Sequence, residues 1–176
     1  MTDELAGVGR FQPLTERDQE VWQQICTFVQ TEPRAFTREA SIGGHVTGSA
    51  VILSPGRDAM LLLHHKKLNK WLQPGGHCDG IADARFVAKK EAYEETGLAR
   101  LRLLAGDVID VDIHEIPERK GEPAHLHYDA RYLFQAEAGE IQGNPESHAL
   151  AWVPLDRIEA YTTEPSVLRL RERVIG

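Results

Sequence analysis

The period of the apolar positions changes several times along the chain, and each change predicts an element. Val21, Trp22, Ile25, Phe28 and Val29 recur at helical spacing until Pro33, and Thr15 followed by Asp18 has the form of a capping box. An N-terminal helix is therefore expected, its stripe covering either the protein's own core or a dimer surface. The segment from Arg34 to Gly44 reads as a connector. Val46 to Leu53 and Ala59 to His64 then form two apolar runs around Ser54-Pro55-Gly56, whose proline and glycine punctuate a pair of strands.

Farther along, Asp110, Asp112 and His114 alternate with Val111 and Ile113, and His125, His127, Asp129 and Arg131 alternate with Leu126, Tyr128, Ala130 and Tyr132. A period of two places each polar set on one face of a strand and the apolar set on a core-facing side. With Pro117 to Ala124 as a hairpin connection, pairing brings His114 near His127 and Asp112 near Asp129. Such a face is either a wet side of an antiparallel sheet or a substrate-facing wall. In the second case His125, His127 and Arg131 would contact phosphate or sugar, and a second metal held by mixed His and Asp ligands becomes possible. Pro165 ahead of Val167, Leu168, Leu170 and Val174 predicts a C-terminal helix that closes the domain.

The richest stretch runs from Pro74-Gly75-Gly76-His77-Cys78-Asp79 into Lys90-Glu91-Ala92-Tyr93-Glu94-Glu95-Thr96-Gly97-Leu98. On a helix Glu91 lies three residues from Glu94 and four from Glu95, so the three carboxylates share one side. Left uncompensated they repel, and a hard divalent cation such as magnesium or manganese makes their crowding favourable. The helix has its own signals: Asp83 can cap its start, Ala84, Val87, Ala88 and Ala92 give a narrow packing stripe, and Gly97 can end it. A glycine turn at Gly75-Gly76 precedes it.

This stretch resembles the Nudix hydrolase box. From Gly76 the register fits without a gap, with Glu91, Glu94, Glu95, Gly97 and Leu98 matching, while Ala82 stands where the family has its first glutamate and Lys90 replaces the arginine. Lysine keeps the charge without the planar fork. The missing carboxylate at Ala82 leaves Asp79 or Asp83 as the nearest in sequence. The resemblance covers about residues 44 to 160. It implies an α/β/α sandwich with a mixed sheet, here with an added N-terminal helix, so that residues 1–43 form a helical extension and connector and 44–176 the Nudix domain. It also implies metal ligands at Glu91, Glu94, Glu95 and the Gly75 carbonyl, and a further loop glutamate acting as ligand or base. Glu146, in Gly143-Asn144-Pro145-Glu146-Ser147-His148, is the candidate for that role.

Composition narrows the partners. The 176 residues are 41% hydrophobic, enough for one real core, and 20 basic against 27 acidic residues give a net charge of −7. That charge disfavours bulk nucleic acid and is compatible with a small phosphorylated substrate brought in by metal. No long apolar span or signal-like start is present, so a soluble cytoplasmic protein with no membrane partner is expected. Cys26 and Cys78 are too few for a disulfide framework or a zinc ribbon, and Cys78 reads as a spectator thiol near the site. Lys66, Lys67 and Lys70 before Trp71 form either a solvated loop or a set that neutralises diphosphate oxygens; Trp71 is expected to pack the loop.

The implied activity is hydrolysis of a phosphoanhydride in a nucleoside diphosphate joined to another group, with Glu91, Glu94 or Glu146 handling the water. Two other classes stay open. Ala82 suits a Nudix-fold binding or regulatory module with weakened chemistry. An enzyme similar to isopentenyl diphosphate isomerase would need a cysteine where Gly75-Gly76 stand, Cys78 being displaced.

Overall fold

In a computed structural model of the protein, describing residues 4–39, 42–119 and 121–175, the chain forms a mixed sheet with helices on both sides. Ala40 and Ser41, within the predicted connector, and Lys120, within the predicted hairpin connection, lie outside the described residues. The elements in order are α1 (Glu16–Thr31), β1 (Gly44–Leu53), β2 (Ala59–His65), β3 (Lys70–Leu72), β4 (Gly75–His77), α2 (Ala84–Thr96), β5 (Leu101–Leu103), β6 (Asp110–Ile116), β7 (His125–Ala136), β8 (Ser147–Pro154) and α3 (Pro165–Ile175), with a 3-10 turn at Leu155–Ala160.

β1 organises the sheet. It runs parallel to β7 from Gly44 opposite Leu126 to Leu53 opposite Gln135, and antiparallel to β4 on its other side. The predicted β1–β2 hairpin is real only at its turn, where Leu53 faces Met60; beyond it β2 leaves to pair with β3 and β8. All ten residues of β1 are buried, as a strand covered on both faces requires. Its even positions Val46, Ala50 and Ile52 join a core with α1, α2 and the N-terminal segment, while Val51 and Leu53 join a second core with Val167 and Leu170 of α3. The odd face is polar at its start, through His45, Thr47 and Ser49, and apolar at its end. That switch locates the cavity described below.

Helix α2 can lie close to the sheet because of one residue. A Cβ on Gly48 would stand 2.1 Å from the Ala84 carbonyl oxygen and 3.0 Å from the Ala88 nitrogen. Small residues on both elements therefore set the helix height. Asp83 caps α2 by accepting from the Phe86 N–H at 2.9 Å, and Gly97 ends it in the left-handed region. The capping box of α1 is formed by Thr15 and Asp18 as expected.

The apolar stripe of α1 packs on the protein's own core: Trp22 and Ile25 are buried, with Val21, Phe28 and Val29 packed beside them. The N-terminal segment is woven in more tightly than an appended extension, since Leu5, Val8 and Phe11 are core residues and Phe11 bridges to Val108. Among the described residues no helix is long and apolar enough to cross a membrane.

Candidate active site

The polar halves of β1, β4, β6 and β7 form the floor of a cavity of about 600 Å³, whose rim carries Glu95 on one side and Glu164 and Arg169 on the other. β6 and β7 pair in the anticipated register, with Asp110 opposite Arg131, Asp112 opposite Asp129 and His114 opposite His127. Their apolar alternates Val111, Ala130 and Tyr132 face the core. The polar face is not a wet one: Asp110, Asp112, Asp129 and Arg131 are all buried.

Gly75 and Gly76 are not a turn. They belong to β4, where Gly75 pairs with Ser49 and Gly76 with Gly48, and neither has a positive φ. They are glycines because side chains would not fit. A Cβ on Gly75 would meet Ser49 Oγ at 2.3 Å, and one on Gly76 would meet the Glu91 carboxyl carbon at 2.5 Å. Glu91 therefore lies directly over Gly76. Glu95 is 7% exposed and accepts from the Gly75 N–H at 3.0 Å. Burial, with the charges of Glu91, Glu146 and Glu94 added, pushes its carboxyl up to about 8 despite that hydrogen bond. Glu94 is the exposed member. Lys90 bridges Glu91 at 2.9 Å and Glu94 at 3.1 Å, and it is the one cation paired with them among the described residues. Three carboxylates facing one ammonium, with one of the three buried and driven toward protonation, suit a hard divalent cation well.

The Glu146 loop is tied to the end of β2. Lys66 donates its backbone N–H to the Glu146 carbonyl at 3.2 Å and its Nζ to the Pro145 carbonyl at 2.5 Å. Glu146 thus stands close enough for its charge to act on both Glu95 and His65. Lys66 holds this loop, and Lys67 is exposed. Trp71 packs as expected, stacked on His64 and edge-on to Tyr161.

Arg131 lines the cavity, and much of its guanidinium is engaged by the protein itself. It donates to Asp129 at 2.8 Å, to Asp110 at 3.1 Å and to the Ser166 carbonyl at 2.8 Å. Thr47 and Ser49 each donate to the other Asp129 oxygen at 2.8 Å. Around this centre Arg169 binds Asp110 and Asp112, Arg17 binds Asp112 at 2.6 Å, and Arg173 binds Asp110 at 3.3 Å and Asp18 at 2.5 Å. Burial opposes the charge on Asp112, yet His114, Arg131 and Arg169 outweigh it and hold the carboxyl well below its usual range.

His125 and His127 belong to a packed group of imidazoles. His45, on β1, lies 4.8 Å from His127 and 5.0 Å from His77 and His125, measured between ring centres. Burial and neighbouring charge depress three of them, His77 below its usual range, His45 to about 4 and His127 to about 2, which favours the neutral ring. His45 and His77 are functional candidates not singled out from sequence, although the alternation His45-Thr47-Ser49 carried the signal.

Four further residues find structural places. Cys78 is buried in the core with its thiol pushed up to about 12 by burial, so it does not face the site. Asp79 pairs with Arg38 through both oxygens, and Asp83 is the α2 cap. Ala82 is exposed beside Gly7 and lines a separate surface depression rather than the cavity.

A sheet between helix layers, with a glutamate-bearing helix seated over a glycine strand, defines the structural class. The chain belongs to the Nudix family: the family model for the NUDIX domain matches residues 44–172, from the first residue of β1 into α3. A curated relative from Lactococcus lactis subsp. cremoris, a probable DHNTP pyrophosphohydrolase, is 26% identical over 131 residues, covering 73% of this chain and 76% of its own length. Among solved structures, the E. coli dihydroneopterin triphosphate pyrophosphohydrolase aligns with a TM-score of 0.58 at 17% identity, covering 79% of this chain and 97% of the other. A MutT NUDIX hydrolase from Burkholderia pseudomallei aligns at 0.56 and 25% identity, covering 76% and 98%. Family and relatives together support a Nudix pyrophosphohydrolase.

Proposed function

We propose that the protein hydrolyses a phosphoanhydride in a small molecule carrying a diphosphate, such as a nucleoside diphosphate joined to another group. Magnesium or manganese would be held by Glu91, Glu94, Glu95 and the Gly75 carbonyl. The observation that carries this reading is the buried Glu95 carboxyl, unpaired with any cation among the described residues, beside Glu91 and Glu94, which share Lys90. When bound, the cation supplies charge for the diphosphate oxygens and lowers the pKa of coordinated water.

The chain's own residues do the rest. The Gly75 N–H fixes one Glu95 oxygen, and the absence of a side chain at Gly76 lets Glu91 lie over the strand. Glu91 or Glu94 takes the proton of the attacking water, with Glu146 as the other base, brought toward the cluster by the Lys66 contacts to its loop. The polar cavity floor orients the substrate through His127, with His125 packed 5.2 Å from that ring, while Arg131 acts by holding the floor together. Holding the reacting groups in register supplies much of the rate. The curated relative, named for pyrophosphohydrolysis, supports the same bond class. The acidic chain with two free cysteines suits a reducing cytoplasmic compartment.

Because Ala82 lies outside the cavity, its missing carboxylate is not subtracted from the cluster, and hydrolysis is favoured over a binding-only module. Glu94→Gln and Glu95→Gln are each expected to lower magnesium-dependent turnover by about 10²-fold or more while circular dichroism stays unchanged. A panel of diphosphate substrates with products identified by mass is the measurement. Full activity in either variant sinks the assignment.

A further inference from the structure

We propose that His45, His77 and His127 form a second metal site, one for a borderline transition cation such as zinc, separate from the carboxylates of α2. The three side chains come from three strands, β1, β4 and β7, and the parallel register that places His45 opposite His127 builds the pair directly. Their ring nitrogens all lie within 4.8 Å of one another. Around a tetrahedral zinc with bonds of about 2.0–2.1 Å, ligand nitrogens stand about 3.3 Å apart, so small ring rotations close the set.

Two observations distinguish this group from histidines that simply pack. The Nε2 atoms of His45 and His127 are buried and, among the described residues, make no hydrogen bond, and His45 is only 5% exposed. A buried polar atom without a partner is costly, and a metal bond removes that cost. Two less buried imidazoles do find partners: His64 pairs with Asn69 at 3.0 Å and His125 with the Pro123 carbonyl at 2.8 Å. The donor chemistry also differs from that of the box. Neutral imidazole selects zinc, cobalt, nickel or iron, whereas carboxylate oxygen selects magnesium or manganese. Just outside the trio, His114 packs 5.2 Å from His127 and its Nδ1 lies 3.3 Å from Asp112.

The site has a place in the cavity. His77 and His127 line the same space as Gly75 and Glu95, and β4 carries both Gly75 and His77. A three-histidine set would leave a fourth position for water or a substrate oxygen.

The test uses the whole protein stripped of metal and then dialysed against zinc alone. A Glu94→Gln/Glu95→Gln variant, with the box disabled, is expected to retain one zinc per chain by elemental analysis. His77→Ala and His127→Ala on that background are expected to weaken retention by about 100-fold or more, beyond the loss from an outer-layer partner. No zinc in the glutamate variant, or undiminished zinc in the histidine variants, overturns the site. X-ray absorption of zinc-loaded wild-type protein needs no variant to fold. Imidazole scattering from about three rings supports the proposal, and a shell of oxygens alone overturns it.

Discussion

At one end of the cavity floor four arginines, Arg17, Arg131, Arg169 and Arg173, meet four aspartates, Asp18, Asp110, Asp112 and Asp129. Beside Gly75, Glu91 and Glu94 share Lys90 while Glu95 pairs with no cation among the described residues, and a group of packed imidazoles lines the same floor. All three regions are polar, and most of their charged groups are buried. Only the first is internally balanced. A balanced buried cluster acts as a cross-link and makes no demand on solutes; an unbalanced or unpartnered one is completed from outside. The difference separates residues that hold the site from those that act in it, which residue type alone does not.

The strongest way to break this contrast is Arg131→Ala. Removing one member of a buried, compensated cluster leaves Asp129 without a counter-charge and should cost about 3–5 kcal/mol in denaturant unfolding. Glu94→Gln, made in the unbalanced region, should leave metal-free stability within about 0.5 kcal/mol. If the two variants lose equal stability, the division between scaffold and site is wrong.

A smaller effect should follow pH. Glu95 has an ordinary value of 4.5 in the unfolded chain and about 8 in the folded protein. Between these values the folded state holds the extra proton, so the stabilising contribution present at low pH is lost as pH rises through that window. Each unit of such a shift corresponds to about 1.4 kcal/mol, giving a total on the order of a few kcal/mol. Unfolding followed in a chelator from pH 4.5 to 8 should show a steeper loss for wild-type protein than for Glu95→Gln. Identical slopes would remove Glu95 from the account.

The smallest expected effect sharpens the family comparison. Ala82→Glu restores the usual box residue at an exposed position away from the cavity. Stability should change by no more than about 0.5 kcal/mol, and turnover should stay within about threefold of wild type. A gain of tenfold in steady-state turnover would show that the missing carboxylate had weakened the site.

Much of this was legible locally. Helix α2 announces itself through Asp83, its alanine stripe and Gly97, and the β6–β7 register follows from two alternating runs around one connection. The role of Arg131 was not legible. Alternation places it on the polar face, but what it binds depends on Ser166 and Arg169 of a helix far along the chain. Gly75 and Gly76 look like a turn in sequence because glycine signals turns; here the cause is lateral crowding by Ser49 and Glu91, visible only once β4 lies on β1. The imidazole group required the parallel β1–β7 pairing, which joins positions some eighty residues apart. Contacts of that range leave no periodic trace.

The ion pair between Asp18 and Arg173 joins positions 155 apart, and Arg169 and Arg173 supply counter-charge to Asp110 from the same closing helix. A chain still being synthesised has the glutamate helix and the glycine strand long before it has these arginines. Asp110 and Asp112 then lack part of their counter-charge. The order of manufacture therefore leaves this cavity floor unfinished until α3 has been made, and a product truncated before Pro165 carries the box without a finished floor beneath it.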